Sequence, residues 1–417
     1  MSASETSGTD RYTVVIVGGG AAGITVAARL RHARPSLSIA IIDPATTHAY
    51  QPGWTLVGAG VMKMRETLRQ EGGLIPRGVR WIRAAVASFE PADNTVTLTD
   101  GRTIAYRRLV VCPGLQLDWD KIEGLSETLG RNGVCSNYSR DAAEYTWVCI
   151  QSLRGGTALF TQPPMPIKCA GAPQKIVYLA SDYWRKQGTL DRTNVEFRMA
   201  GDVLFGVGYF VPSLQDAIDY YGVHVTYKQN LIKVDGPARK ATFSVVKPDG
   251  TTDTITRDFD MLHVVPPQSA PDFIKKSPLA NPAGWVDVDP ATLRHATFDT
   301  VFGLGDVVGT SNAKTAAAAR AQAPVVVENL LASLDGKPMG GVYDGYGACP
   351  LTVSYGRVVL AEFLYGGKVA PSFPYDQRKP SKFAWFLKTK VFPKLYWNMM
   401  LTGRDVAIPH KTSRVKN

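Results

Sequence analysis

Short apolar runs, each stopped by glycine or proline, set the framework of this chain. Val14 to Val17 runs into Gly18-x-Gly20-x-x-Gly23, and the positions from Ala21 to about Arg31 follow helical spacing. A second run, Ser38 to Ile42, stops at Asp43. Leu109 to Val111 stops at Cys112-Pro113-Gly114, and Thr300 to Leu304 stops at Gly305-Asp306, beyond which an alanine-rich helix begins near Lys314. Between these pieces TALFTQ (157–162) and VEFRMA (195–200) read as strands. Continuous apolar strands without polar alternation are those covered on both faces, so the pattern predicts an α/β chain with parallel sheets. Near the C-terminus the pattern changes. In KFAWFLKTKVFPKLYWNMML, Phe383, Trp385, Phe386, Leu387, Val391, Phe392, Leu395, Tyr396, Trp397, Met399 and Met400 are interleaved with lysines.

Charge sharpens the reading of that last segment. The chain carries 47 Lys and Arg against 36 Asp and Glu, and ten of those cations against a single acid, Asp405, fall between Arg378 and Asn417. A basic tail points to nucleic acid or to an anionic membrane surface. Aliphatic and aromatic side chains among the lysines favour amphipathic helices lying in a membrane interface, with no nucleic-acid partner. No run of about 18 apolar residues occurs, so a spanning helix is not expected. The polar start, MSASETSGTDR, lacks a basic and apolar leader, which predicts peripheral attachment on the cytoplasmic side of a membrane.

The first glycine loop has a physical job for each part. Gly18 makes the turn, Gly20 lets the backbone approach a pyrophosphate, and Gly23 lets helix and strand pack closely. The helix N-terminus offers amides to phosphate, and Asp43 can accept hydrogen bonds from ribose hydroxyls. Strand, loop, helix, second strand and acid in this order make a strong dinucleotide signature. After TALFTQ the equivalent loop reads PPMPIKCAG, with Pro163, Pro164 and Pro166. Prolines have no N–H to give a phosphate. GDVLFGVG, after the next strand, lacks the G-x-G-x-x-G spacing, so a second dinucleotide site is not expected.

In its place stands Cys169, beside Lys168 and ahead of the helix GAPQKIVYLASDYWRK. A thiol next to a cation at a helix N-terminus is more often a thiolate. The chain has five cysteines. Cys112 and Cys149 lie in apolar stretches and read as buried and inert. Cys349, after a glycine turn and before Pro350 and a strand, is the best candidate for a redox partner of Cys169. His48 and Gln51 follow the second strand and are candidates to lie over a bound redox ring, whereas His224, His263 and His295 read as buried structural histidines.

The strand-end pair Gly305-Asp306 can bind ribityl hydroxyls, and Lys314 with the following helix can stabilise negative charge on a reduced ring. With Cys112-Pro113-Gly114, this layout resembles the two-dinucleotide-domain flavoproteins. The resemblance implies two Rossmann-like, doubly wound domains: an FAD domain (10–120 and 285–345) split by a second domain (121–284) without a glycine loop, followed by a strand and membrane-associated helices (346–417). PIKCAGAPQKIVYLASDYWRK, GLGDVVGTSNAKTAAAA, YDGYGACPLTVSYGRVVLAEF and KLYWNMMLTGR further resemble the type II, mitochondrial-like group of sulfide:quinone oxidoreductases, over about residues 12 to 404. That resemblance implies FAD, sulfide as donor, ubiquinone or a related quinone as acceptor, and a sulfur acceptor such as sulfite or glutathione.

By the same resemblance Cys169 and Cys349 form the redox pair, bridged by a disulfide or by an added sulfur atom when oxidised. Cys135 is a candidate for the third cysteine of type I relatives, with a spectator thiol as the alternative. The implied FAD contacts are Gly18, Gly20, Ala22, Gly23, Asp43, Pro44 and Gln51, then Val86, Pro113, Gly114, Gly305, Asp306 and Lys314. Lys168, Phe383 and Tyr396 are the candidate substrate contacts, the two aromatic residues for a quinone slot. Two other functions stay open from sequence: an NADH:quinone oxidoreductase-like flavoenzyme, and a non-catalytic FAD-binding redox sensor. A homo-oligomer is compatible with the sequence.

Overall fold

The computed structural model describes residues 10–405. The apolar runs become strands buried on both faces: Val14, Val15, Ile16, Leu109, Val110 and Val111 have no exposure. Asp10–Val17 pairs in parallel with Ile39–Ile42 on one side and with Thr103–Val111 on the other. Thr103–Val111 is shared. Its first residues pair antiparallel with Thr95–Leu98, and Leu109 to Val111 pair in parallel with Val301–Gly303. This seven-stranded sheet therefore aligns the C-terminal ends of Asp10–Val17, Thr103–Val111 and Val301–Gly303. The loops Gly18 to Gly23, Cys112 to Gly114 and Gly305-Asp306 open on the same edge, where ligands of parallel sheets bind.

The helices Ala21–Ala33 and Ala316–Leu334 pack against each other over this sheet. Gly23 is required at the close approach: a Cβ there would lie 1.9 Å from the Gly18 carbonyl oxygen. The alanine-rich helix starts at Ala316, two residues later than the sequence suggests, because Thr315 caps it and its Oγ1 accepts from the Ala318 N–H at 3.1 Å.

A second, five-stranded parallel sheet runs Val134–Cys135, Met261–His263, Gly156–Gln162, Thr193–Met199, His224–Thr226. An antiparallel meander, Gln229–Asp235, Lys240–Val246 and Thr252–Asp258, lies beside it. Of the three histidines expected in the interior, His263 and His295 are buried, but His224 is exposed at the start of an edge strand. His263 packs deep enough that burial pushes it down to about 3, and its Nε2 accepts from the Asn137 N–H.

The C-terminal hairpin, Gly347–Ser354 with Arg357–Phe363, packs on the helix Ala172–Lys186. The strand starts earlier than expected, so Cys349 and Pro350 lie inside it; a two-stranded sheet leaves Pro350 an edge on which a missing N–H is tolerated. The helical segment that follows alternates α turns (Lys382–Phe386, Phe392–Leu395) with π turns (Leu387–Val391, Tyr396–Met400). The wider π turns rotate the buried face. Leu387, Lys388, Tyr396 and Met400 point inward, while Phe383 and Phe386 remain 48% and 53% exposed. No helix among the described residues is long and apolar enough to cross a membrane. Residues 406–417, part of the basic tail, lie outside the described residues.

Candidate active site at the cysteine pair

Cys169 ends the proline-rich loop in a left-handed conformation, φ 49, three residues before the helix begins at Ala172. Such backbone is costly for a residue with a Cβ and is held only where the surroundings impose it. Here the Cys169 N–H donates to the Lys314 carbonyl at 2.8 Å, and its own carbonyl accepts from the Ala172 N–H at 2.6 Å. The Tyr138 hydroxyl donates to the Lys168 carbonyl at 3.1 Å. The curl turns Sγ toward the hairpin, and Cys169 Sγ stands 3.6 Å from Cys349 Sγ. Gly171 permits that approach, since a Cβ there would lie 2.6 Å from Cys349 Sγ.

The cation at the thiol is not the sequence neighbour. Lys168 turns away: its Nζ donates to Gln51 Oε1 at 2.6 Å and lies over the rings of Trp54 and Tyr138. Lys175, one turn inside the helix, reaches Cys169 Sγ at 3.1 Å. A hydrogen bond from the Cys349 thiol and the Lys175 ammonium hold Cys169 well below an ordinary thiol, against its own burial. Cys349 goes the other way, raised as the donor to Cys169 and by burial. Burial would lower Lys175, but the facing thiols raise it. A second buried lysine that sequence reading missed, Lys388 on a π turn of the C-terminal segment, adds positive charge at Cys169. Burial and Lys175 push it down to about 7.

The third candidate cysteine is not brought to this pair. Cys135 lies fully buried in the second sheet, where its thiol neighbour is Cys149, and burial pushes its pKa up. Cys149 is less inert than its apolar stretch suggests: Cys135 and the Tyr145 hydroxyl hydrogen-bond to it and lower it.

Several of the residues expected to hold a dinucleotide lie in the loops at the aligned strand ends. Gly20 and Gly114 face open space, with no atom within 4 Å of a Cβ built on either, and Gly305 has φ +80. The Asp43 carboxylate accepts from the Gly19 N–H at 2.5 Å and the Ala45 N–H at 2.7 Å. Ala22 is buried where Gly305 approaches, Val86 is buried in the strand Val86–Glu90, Pro44 is exposed and Pro113 half-buried. Lys314 Nζ donates to the Asp306 and Val308 carbonyls at 2.8 and 2.9 Å, and burial pushes it down to about 8. Lys168, likewise desolvated, is also pushed to about 8, and burial raises Asp306.

Around Lys168, two buried donors have no partner among the described residues: Trp54 Nε1, and Gln268 Nε2, whose Oε1 accepts from the Lys168 N–H at 2.8 Å. Orphaned buried donors beside two desolvated lysines suit a polar ring system that carries negative charge when reduced. These residues fit FAD.

The His48 ring nitrogens are both engaged within the protein. His48 is buried between Glu71 (Nδ1 to Oε2, 3.2 Å) and Tyr396 (Nε2 to the hydroxyl, 2.6 Å). Phe383 packs on Phe373 and Tyr375, whereas Tyr396 packs on His48 and Tyr50, so the two aromatic candidates have different neighbours.

Comparison with known proteins places this arrangement in context. The sequence model of the family described as pyridine nucleotide-disulphide oxidoreductase matches residues 12–179, from the first strand into the helix behind Cys169. The mitochondrial sulfide:quinone oxidoreductase of Dictyostelium discoideum is 45% identical over 394 residues, 94% of this chain and 86% of that protein. The mitochondrial sulfide:quinone oxidoreductase of Mus musculus is 43% identical over 94% of this chain and 87% of that protein. Among solved structures, the sulfide:quinone oxidoreductase of Aquifex aeolicus superposes with a TM-score of 0.77 at 20% identity, over 96% of this chain and 93% of that one, and so shares the fold.

Proposed function

This chain belongs to the sulfide:quinone oxidoreductases, and from that premise we propose that Cys169 and Cys349 are the pair through which it oxidises sulfide. It is an FAD-dependent enzyme that oxidises sulfide and reduces quinone. The observation that carries the proposal is the 3.6 Å approach of two thiols, one of them bonded to a buried ammonium.

The chemistry follows from the asymmetry of the pair. In the oxidised state the two sulfurs are bridged. Hydrosulfide attacks Cys349 Sγ; a new S–S bond forms, the bridge breaks, and Cys169 leaves as the thiolate. The sulfur with the lower pKa is the better leaving group, and Lys175 stabilises it. An acceptor nucleophile, a thiol such as glutathione or sulfite, then takes the outer sulfur and releases Cys349. Re-forming the bridge removes two electrons from the two thiolates. FAD, held by Gly18, Gly20, Asp43, Gly305 and Lys314, would supply the two-electron acceptor for that pair and its passage to quinone, which with two protons becomes quinol. Lys388 adds positive charge where both incoming anions must arrive.

We assign residues 10–120 with 285–345 to FAD, 121–284 to a second Rossmann-like domain that carries Cys169, and 346–417 to the strand that carries Cys349 and to the membrane-associated helices. Exposed Phe383 and Phe386, among lysines, support peripheral attachment to a membrane that holds ubiquinone or a related quinone. We place that attachment on the cytoplasmic face, where the cysteines outside the redox pair, Cys112, Cys135 and Cys149, stay reduced.

One assay tests the reading. With sulfide as donor and sulfite or glutathione supplied in turn, one sulfane sulfur is expected per quinol formed. A Phe386→Ser protein should keep its rate with a water-soluble quinone but lose about tenfold with quinone in anionic vesicles. Quinol without sulfane sulfur removes the sulfur chemistry, and an unchanged vesicle rate removes the membrane face.

A further inference from the structure

The motif reading gives the ribose hydroxyls of the dinucleotide to Asp43, but the structure holds a second carboxylate there. Glu71 follows the hairpin Thr47–Ala49 with Leu68–Gln70 and is only 2% exposed. Its Oε2 is fixed by His48, whose other nitrogen meets the Tyr396 hydroxyl. Its Oε1 has no hydrogen-bond partner among the described residues. That free oxygen faces the phosphate loop: a Cβ built on Gly19 would lie 2.6 Å from Glu71 Oε1 and 3.2 Å from Asp43 Oδ2. Asp43, by contrast, already accepts from the Gly19 and Ala45 N–H groups, one on each oxygen.

A buried carboxylate oxygen without a donor is costly, so something present in the working protein completes it. Beside a pyrophosphate cradle that partner is not a phosphate, because like charges repel. It is a neutral donor carried by the same ligand. We propose that Glu71 is a second carboxylate ligand of FAD, accepting a hydrogen bond from an adenosine ribose hydroxyl, and that His48 and Tyr396 hold it in place. The C-terminal helical segment thereby helps to grip the cofactor. This rests on the FAD site described above but not on the sulfide chemistry, and its test needs no turnover.

Flavin release from the FAD-loaded protein is followed by the rise in flavin fluorescence after dilution. In Glu71→Gln, His48 retains the amide oxygen and an NH₂ group replaces the free acceptor. Release should accelerate about tenfold, the scale of one hydrogen bond to a charged group. The same protein is also loaded with an FAD lacking the 2′- and 3′-hydroxyls of its adenosine ribose. From the native chain this analogue should leave at least about tenfold faster than FAD, and the ratio should shrink at least about threefold in Glu71→Gln. A structural role for Glu71 would leave that ratio unchanged. The proposal is overturned if Glu71→Gln releases FAD within twofold of the native rate, if the native chain does not distinguish the analogue, or if the ratio is the same in both proteins.

Discussion

In Cys169→Ser and in Cys349→Ser, sulfide-dependent quinone reduction should fall by about 10³-fold or more per bound flavin, with FAD still in place. The size of the effect follows from the chemistry. A serine hydroxyl cannot form the S–S bond that hydrosulfide must break, and neither sulfur can complete the cycle alone. Retention of FAD follows from geometry, since neither thiol belongs to the glycine loops at the strand ends of the first sheet. Cys135→Ser is the control. Its thiol packs against Cys149 inside the second sheet, so turnover per flavin should stay within about twofold of native. Turnover assays with flavin content measured on the same samples check all three. A Cys135→Ser loss as large as the other two would restore the third cysteine to the mechanism.

Lys175→Met should give the second largest effect, about 10²-fold at neutral pH. It removes the hydrogen-bonded cation from a half-buried thiolate, and breaking a buried pair costs about 3–5 kcal/mol, of which a part reaches the transition state. Its pH dependence separates this role from a packing defect. Lys175 is among the causes that lower Cys169. Without it the thiol pKa rises, so the thiolate fraction at neutral pH drops and is recovered as pH increases. The variant's rate, and its rate of alkylation by iodoacetamide, should therefore climb with pH through a range in which native Cys169 is already ionised. A parallel pair of pH profiles would remove Lys175 from thiolate stabilisation.

The parts of this site that the sequence displays are those built by local backbone chemistry. The first glycine loop is legible because turn, helix N-terminus and acid follow one another within one βαβ unit. Cys169 is legible because three prolines stand where a phosphate loop would carry amides. Lys175 is not, because its contact depends on the left-handed curl of Cys169, which swings Sγ back along the helix. A signal was present: Lys175 is a lone cation in PQKIVYLA, a stretch the fold buries throughout. Lys388 and the Glu71–His48–Tyr396 chain are set by packing between distant segments and by π turns that break the helical period. Periodicity could not place Tyr396 inward and Phe383 outward.

The central claim, that electrons enter from sulfide through the cysteine pair and not from a nicotinamide at the proline-filled loop, is tested most directly by rapid mixing. FAD-loaded protein is mixed anaerobically with sulfide and, separately, with NADH, and flavin absorbance is followed. Sulfide should bleach the flavin within the time of one turnover and NADH should leave it oxidised. Bleaching by NADH with no response to sulfide would contradict the account.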